Sequence, residues 1–221
     1  MQKTCYNCGI EITRTNKSKE HIPAQALFEG YSIAHKFNRI TVPSCKDCNN
    51  NYSIIDEEFK NLIGVINNAP ERNTITKKAV WAILHFGQKK KRLVFDRTGR
   101  VGGVVFDANQ IELFHKKNFK GIFYKEYGYP ISEDFNIVVD INENDYSEGI
   151  LSSIGYLQYH FNWKVSGHKD IFQYIIQPFR QNLSEGIHQD IIPNNTDTHF
   201  LALMKYNQSH VAFVGASKRR N

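Results

Sequence analysis

Apolar residues recur at helical spacing at Tyr52, Ile55, Phe59, Leu62 and Ile63, which predicts a helix with one buried face. From Thr74 to about Lys91 a second helix is expected, capped by Asn73 or Thr74, with Val80, Trp81, Leu84 and His85 on its apolar side. Residues 65–73, VINNAPERN, combine Asn, Pro and charge without periodicity and read as a connector. The segments RLVFD and VGGVVFD, joined by RTGR, resemble a hairpin, and a helix is predicted over Asn109 to Glu126. FNIVVDIN reads as a strand, and HFLALMKY and HVAFVGA flank Asn207 to Ser209 as a terminal hairpin. The pattern therefore predicts an α+β protein. It divides into a small module over residues 1–64 and a larger mixed α+β domain over 74–221, with no internal repeat.

Composition supports packed structure, since 41% of the 221 residues are hydrophobic and 13% aromatic. No apolar run is long enough to span a bilayer, and the opening MQKTCYNCG lacks a secretory stretch, so a cytoplasmic protein is expected. The formal charge of +6 is unevenly spread: residues 1–60 net +1, 61–100 net +7 and 101–221 net −2. The positive field is concentrated around Lys77, Lys78 and the run Lys89 to Arg92. Those cations suit contacts to a nucleic-acid backbone and equally suit a helix C-terminus, where they meet the partial negative charge of the dipole.

All four cysteines fall in two C-x2-C pairs, Cys5/Cys8 and Cys45/Cys48, with 36 residues between the pairs. That spacing places two thiolates on one tetrahedral ion, so in a reducing compartment the set predicts a structural zinc site rather than two disulfides.

The order C-Y-N-C-G, then K-E-H-I-P, then C-K-D-C-N-N carries more information than any one element. Over residues 3–63 it resembles the HNH endonuclease family, in the subgroup whose ββα-metal site is held by two C-x2-C zinc pairs. The resemblance implies a DNA endonuclease, RNA being the other possible substrate, and a place in restriction or phage defence. The physical requirements agree with it. Hydrolysing a phosphodiester needs a base for water, a cation for the phosphate and a frame that holds both. His21, with an imidazole that titrates near neutrality, is the candidate general base. The Glu20 carboxylate and the Asn49 side-chain carbonyl are hard oxygen ligands for Mg²⁺ or Mn²⁺.

Asn50 and Asn51 are alternatives to Asn49 for this role, Asn50 the closer of the two, whereas Asn51 and Asp56, the latter two turns further along, read as solvated or capping residues; Asn49, directly after the last cysteine, is the position that matches the family. Where the family carries an asparagine nine residues before the Asn49 position, this chain has Ile40; Asn38 and then His35 are the nearest candidates. Successive residues on a regular strand face opposite ways, so Glu20 and His21 share a site only if the strand is twisted or bulged. The flanking Lys-Ser-Lys and Pro23 favour such an irregular segment.

Of the other histidines, His85 is expected among packed helix residues, while His115 belongs to a basic helix with Lys116, Lys117 and Lys120. Tyr156, Tyr159, Phe161 and Trp163 read as core aromatics. The competing function from the same residues is a zinc-ribbon-like nucleic-acid binder without catalysis. A third possibility makes the larger domain the functional part.

Overall fold

The computed structural model describes residues 3–66, 73–86, 91–141, 146–180 and 198–219. Most of the connector and residues Lys89 and Lys90 of the basic run lie outside them. Strands β1 (Lys17–Ile22) and β2 (Ile40–Cys45) pair antiparallel, and two short 3-10 turns lie between them. Cys45 ends β2 and caps the next helix, its sulfur accepting the Cys48 N–H; the chain then forms α1 (Lys46–Asn51) and α2 (Ser53–Ile66). The break at Tyr52 divides the single helix that periodicity predicts after the second cysteine pair.

Helix α3 (Asn73–His85) packs on α2, but with a different face from the one its sequence suggests. Ile75, Ala79, Ala82 and Ile83 are buried, whereas Val80, Trp81, Leu84 and His85 are exposed. The reason is a close approach: a Cβ built on Gly64 would lie 2.5 Å from the Ala79 Cβ, so small side chains face α2 and the large ones turn outward. A hairpin, β3 (Leu93–Phe95) with β4 (Val101–Val104), follows as expected.

Helix α4 (Ala108–Tyr127) is the central element. Asp107 caps it by accepting from Asn109 and Gln110, and Gly128 closes it in the left-handed conformation at φ 82°. Its Phe114 ring stacks on Phe59 of α2 at 3.8 Å, and Phe123 meets Phe200 edge-on at 4.9 Å. Burying each such ring contributes roughly 1.5–3 kcal/mol. Gly121 lets α4 reach β1, since a Cβ there would fall 2.4 Å from Ile22.

The remaining strands are β5 (Phe135–Asp140), β6 (Lys164–Val165), β7 (Phe172–Arg180), β8 (Thr198–Tyr206) and β9 (His210–Lys218). They form an antiparallel sheet in the order β5-β9-β8-β7-β6. Alternation along β8 sorts its side chains: Phe200, Ala202, Met204 and Tyr206 join the core shared with α4, and Leu203 joins a second cluster with Leu157 of α5 (Glu148–His160). Helices α4 and α5 thus cover opposite faces of the sheet.

The main core is continuous from Cys5, Tyr6 and Ile22 through Phe59 and Phe114 to Phe200 and Tyr206. A buried hydroxyl reinforces this connection: Ser166 accepts the Ile40 N–H at 2.8 Å and donates to the Ile22 carbonyl. The cysteine-bearing hairpin is therefore packed into the rest of the protein. Among the described residues, no helix is long and apolar enough to cross a membrane.

Candidate metal centre

The two C-x2-C pairs meet because the loop after Lys3 is pinned to β2, with the Tyr6 N–H donating to the Pro43 carbonyl at 2.9 Å. All four cysteines are free thiols, and their sulfurs lie within 4.8 Å of one another. Cys8 Sγ and Cys45 Sγ are 3.8 Å apart. A tetrahedral ion with Zn–S bonds near 2.3 Å separates its sulfurs by about 3.8 Å, whereas a disulfide needs about 2.05 Å. Cys5, Cys8, Cys45 and Cys48 are close enough to hold a metal, and the donor set fits zinc.

The surrounding donors already favour negative sulfur. Burial acts to raise the Cys5 thiol, but backbone N–H groups of Cys8, Cys45 and Asn7 outweigh it and bring the pKa to about 7. Asn7 Nδ2 donates to Cys48 Sγ at 3.3 Å. Burial nevertheless raises Cys8 and Cys48, so holding four thiolates together requires a cation.

Beside this centre lies a second polar cluster. Glu20 is buried on β1, and its Oε1 accepts from Lys117 Nζ of α4 at 3.0 Å. The Lys117 ammonium, fully buried, also donates to Asp56 Oδ1 and Oδ2 at 2.6 and 2.7 Å, and lies 5.2 Å from the centre of the Tyr52 ring. Two carboxylates around one ammonium leave a formal charge of −1. Burial raises both Glu20 and Asp56 above the usual carboxylate range, against the opposing pull of Lys117. Asp56 is therefore an inward-facing partner of Lys117, not the solvated helix residue its position suggests.

Asn49, on α1 immediately after Cys48, has its side-chain amide 3.1 Å from Glu20 Oε2 and 3.0 Å from the Lys19 carbonyl. Both neighbours are acceptors. The amide is satisfied by turning its nitrogen toward them as a donor, or by turning its oxygen toward them with a cation between the three.

His21 is placed differently. β1 and β2 pair in unbroken register, Glu20 opposite Val42 and His21 opposite Thr41, so the expected bulge does not form. Glu20 and His21 consequently leave the strand on opposite faces. His21 Nδ1 lies 3.4 Å from Thr41 Oγ1, which leaves Nε2 as the nitrogen open to water or substrate. Partial burial, followed by the nearby charges of Arg39, Lys19 and Lys117, lowers its pKa and keeps the imidazole neutral at pH 7. The side chain beside the His21 ring is thus Thr41, while Asn38 and His35, the sequence candidates for bracing it, have other surroundings. Asn38 sits at a turn with φ 56°, and His35 bonds Ser32 at 2.7 Å and packs on His168.

The structure thus joins Glu20 and Asn49 and sets His21 apart. Lys117 and Thr41 are the partners that sequence reasoning missed. Of the basic run, Lys91 is exposed, while Arg92 pairs with the buried Glu58.

Fold and site together define an α+β protein whose N-terminal hairpin carries a four-cysteine centre able to hold a metal. Neither a family model, nor a curated protein, nor a solved structure matches the chain.

Proposed function

We propose that the chain is a metal-dependent nuclease of the HNH type, with zinc in the four-cysteine centre and DNA as its substrate. The observation that carries this reading is the convergence of the Asn49 amide, Glu20 Oε2 and the Lys19 carbonyl at 3.0–3.1 Å. With its oxygen turned inward instead of its nitrogen, Asn49 would hold a hard divalent cation together with Glu20 Oε2 and the Lys19 carbonyl. The residual negative charge of the Glu20–Lys117–Asp56 cluster attracts such an ion. When bound, a divalent ion supplies charge neutralisation for the scissile phosphate and the leaving oxygen.

The chain's own groups do the rest. Cys45 and Cys48, which would hold zinc with Cys5 and Cys8, flank the start of α1, so Asn49 is presented beside Glu20. The Lys117 ammonium orients the Glu20 carboxylate from the other side. His21, neutral and tied through Nδ1 to Thr41, leaves β1 on the other face from Glu20; with the scissile phosphate reaching round the strand from the ion, its Nε2 takes a proton from the attacking water as the water oxygen bonds to phosphorus and the P–O bond to the leaving group breaks.

A second reading has its own observation in its favour. Lys117 already satisfies Glu20 and Asp56, and His21 leaves the opposite face of β1, which suits a zinc-stabilised module that binds nucleic acid without cutting it. Supercoiled plasmid with Mg²⁺ or Mn²⁺ decides between them. Under the nuclease reading the zinc-loaded protein nicks plasmid, and His21→Ala lowers the rate by about 10²- to 10⁴-fold with little change in DNA affinity. The parent rate should also fall on acidification, with its midpoint below the usual histidine range because the His21 pKa is lowered, since the protonated ring cannot accept a proton. Binding without nicking selects the second reading, and a His21→Ala variant that nicks as fast as the parent removes His21 from the chemistry.

A further inference from the structure

A cleft of about 280 Å³ opens between α4, β5 and the turn over residues 131–134. It is separate from the ion cluster but shares a wall with it, because Tyr52 lines the cleft while its ring faces Lys117. Three cations reach this space: Lys116 and Lys120, one turn apart on α4, and Arg219 at the end of β9. The only carboxylate in its described lining is Glu133. This concentration runs against the local average, since residues 101–221 carry a net charge of −2.

Lys120 Nζ is held by Asn7 Oδ1 at 3.1 Å, and Lys116 pairs with Glu112 one turn back. The Arg219 guanidinium, exposed, has no partner among the described residues. Phe135, Asn136 and Ile137 all line the cleft although consecutive strand residues point to opposite faces. The cleft therefore meets β5 along its edge, and β5 is the terminal strand of the sheet. Such an edge offers backbone N–H groups that are not used in the ladder. Leu113 and Ile131 complete an apolar wall.

An anion site with an apolar floor, an aromatic wall and a volume just below the roughly 300–1,000 Å³ of small-ligand pockets suits one nucleotide unit. We propose that this cleft binds a nucleoside phosphate, free or as one residue of a nucleic-acid strand, with the phosphate on Lys116, Lys120 and Arg219 and the sugar and base against Leu113, Ile131 and Ile137. The strand form rests on the nucleic-acid reading above; the free-nucleotide form does not.

Calorimetric titration of the zinc-loaded full chain, without other added divalent ion, tests it with two probes: adenosine 5′-monophosphate and a 5′-phosphorylated hexathymidylate. The variant is the double change Lys116→Ala with Arg219→Ala, which leaves the cysteines, His21 and the anchored Lys120 intact. The parent should bind at least one probe, and the double variant should bind it roughly tenfold or more weakly, as expected for lost charge-assisted contacts. For the hexamer, the log–log salt slope should flatten by about 0.7 per lost phosphate contact. Binding of the mononucleotide identifies a free ligand, and binding of the hexamer alone identifies a strand. A parent that binds neither probe, or a double variant with the parent's affinity and slope, overturns the proposal. The two readings fail separately: a parent that binds through the cleft yet never nicks plasmid removes only the nuclease, and one that nicks while the double variant binds normally removes only the cleft.

Discussion

Two polar clusters flank the short helix α1 and are assembled in opposite ways. The four-cysteine centre draws its ligands from two tight C-x2-C loops, with all sulfurs within 4.8 Å and backbone donors aimed at them. The Glu20–Lys117–Asp56 cluster draws one residue each from β1, α4 and α2, at 2.6–3.0 Å, inside the hydrophobic core. The first is a set of like-charged ligands that only a cation can close. The second carries its own cation and depends on the packing that brings α4 across β1 at Gly121. Perturbations should therefore separate them: one cluster responds to metal and thiol chemistry, the other to the loss of a side chain from a helix far along the chain.

The largest effect is expected from Cys45→Ser. This change removes one of the four sulfurs placed to hold a metal and also the acceptor of the Cys48 N–H at the start of α1. Structural tetrathiolate sites contribute about 10 kcal/mol or more of metal binding at neutral pH, and for so small a hairpin that is folding free energy. The variant should lose stoichiometric zinc by elemental analysis, and β1, β2 and α1 should lose hydrogen-exchange protection. A variant that loses zinc yet keeps that protection would show that core packing alone supports the hairpin, and one that retains stoichiometric zinc would show that Cys45 is not a ligand.

Lys117→Met is expected to cost less but to act on both halves of the molecule. Removing the ammonium leaves Glu20 and Asp56 facing each other in the core, and breaking a buried pair in this way typically costs about 3–5 kcal/mol. Zinc content should be unchanged, so chemical unfolding of the zinc-loaded variant isolates the ion cluster. A triple change, Lys117→Met with Asp56→Leu and Glu20→Gln, should recover much of the loss, because replacing every charge of a buried ion cluster is often close to neutral. A Lys117→Met protein as stable as the parent would mean that the three charges are hydrated rather than buried.

The same contrast governs what was legible in the sequence. The cysteine pairs, the helix start beside them and the hairpin signals are local patterns, and helix α4 falls within a residue of its expected limits at each end. Lys117 was read as one of several cations on a basic helix. A signal was present, because it lies three residues after Phe114 and four before Gly121, on the stripe that packs inward; a lysine there needs a buried carboxylate. Neither the choice of Glu20 and Asp56 nor the regularity of β1 could be read locally, since both depend on which elements the core places together. Helix α5 was missed for a related reason. The sequence makes Tyr156 and Tyr159 look like core, yet Tyr159 is 85% exposed, and the packing of α5 rests instead on Leu157 with Ile150 and Ile154. On α3, Gly64 and Ala79 set the rotation, which no hydrophobic count along that helix reveals.

The smallest effect is also the most diagnostic, because its sign distinguishes the two clusters. Thiolates bind metal in competition with protons, so a zinc-loaded four-cysteine centre should lose metal as pH falls. An ordinary surface ion pair would weaken in the same direction as its carboxylate is protonated. Glu20 should behave in the opposite way, since burial raises its pKa in the folded protein. The folded state then binds the proton more tightly than the unfolded chain, so the contribution of Glu20 is fully present below its unfolded pKa and is lost as pH rises through its raised folded value. Glu20→Gln has no such titration. Comparing urea unfolding of parent and Glu20→Gln between pH 7 and pH 4, at matched zinc occupancy, should show the stability difference moving in favour of the parent as pH falls, by about 1.4 kcal/mol for each unit of pKa shift. If the difference instead moved toward the variant, Lys117 would dominate over burial, and Glu20 would be a stabilised carboxylate already organised as an ion pair.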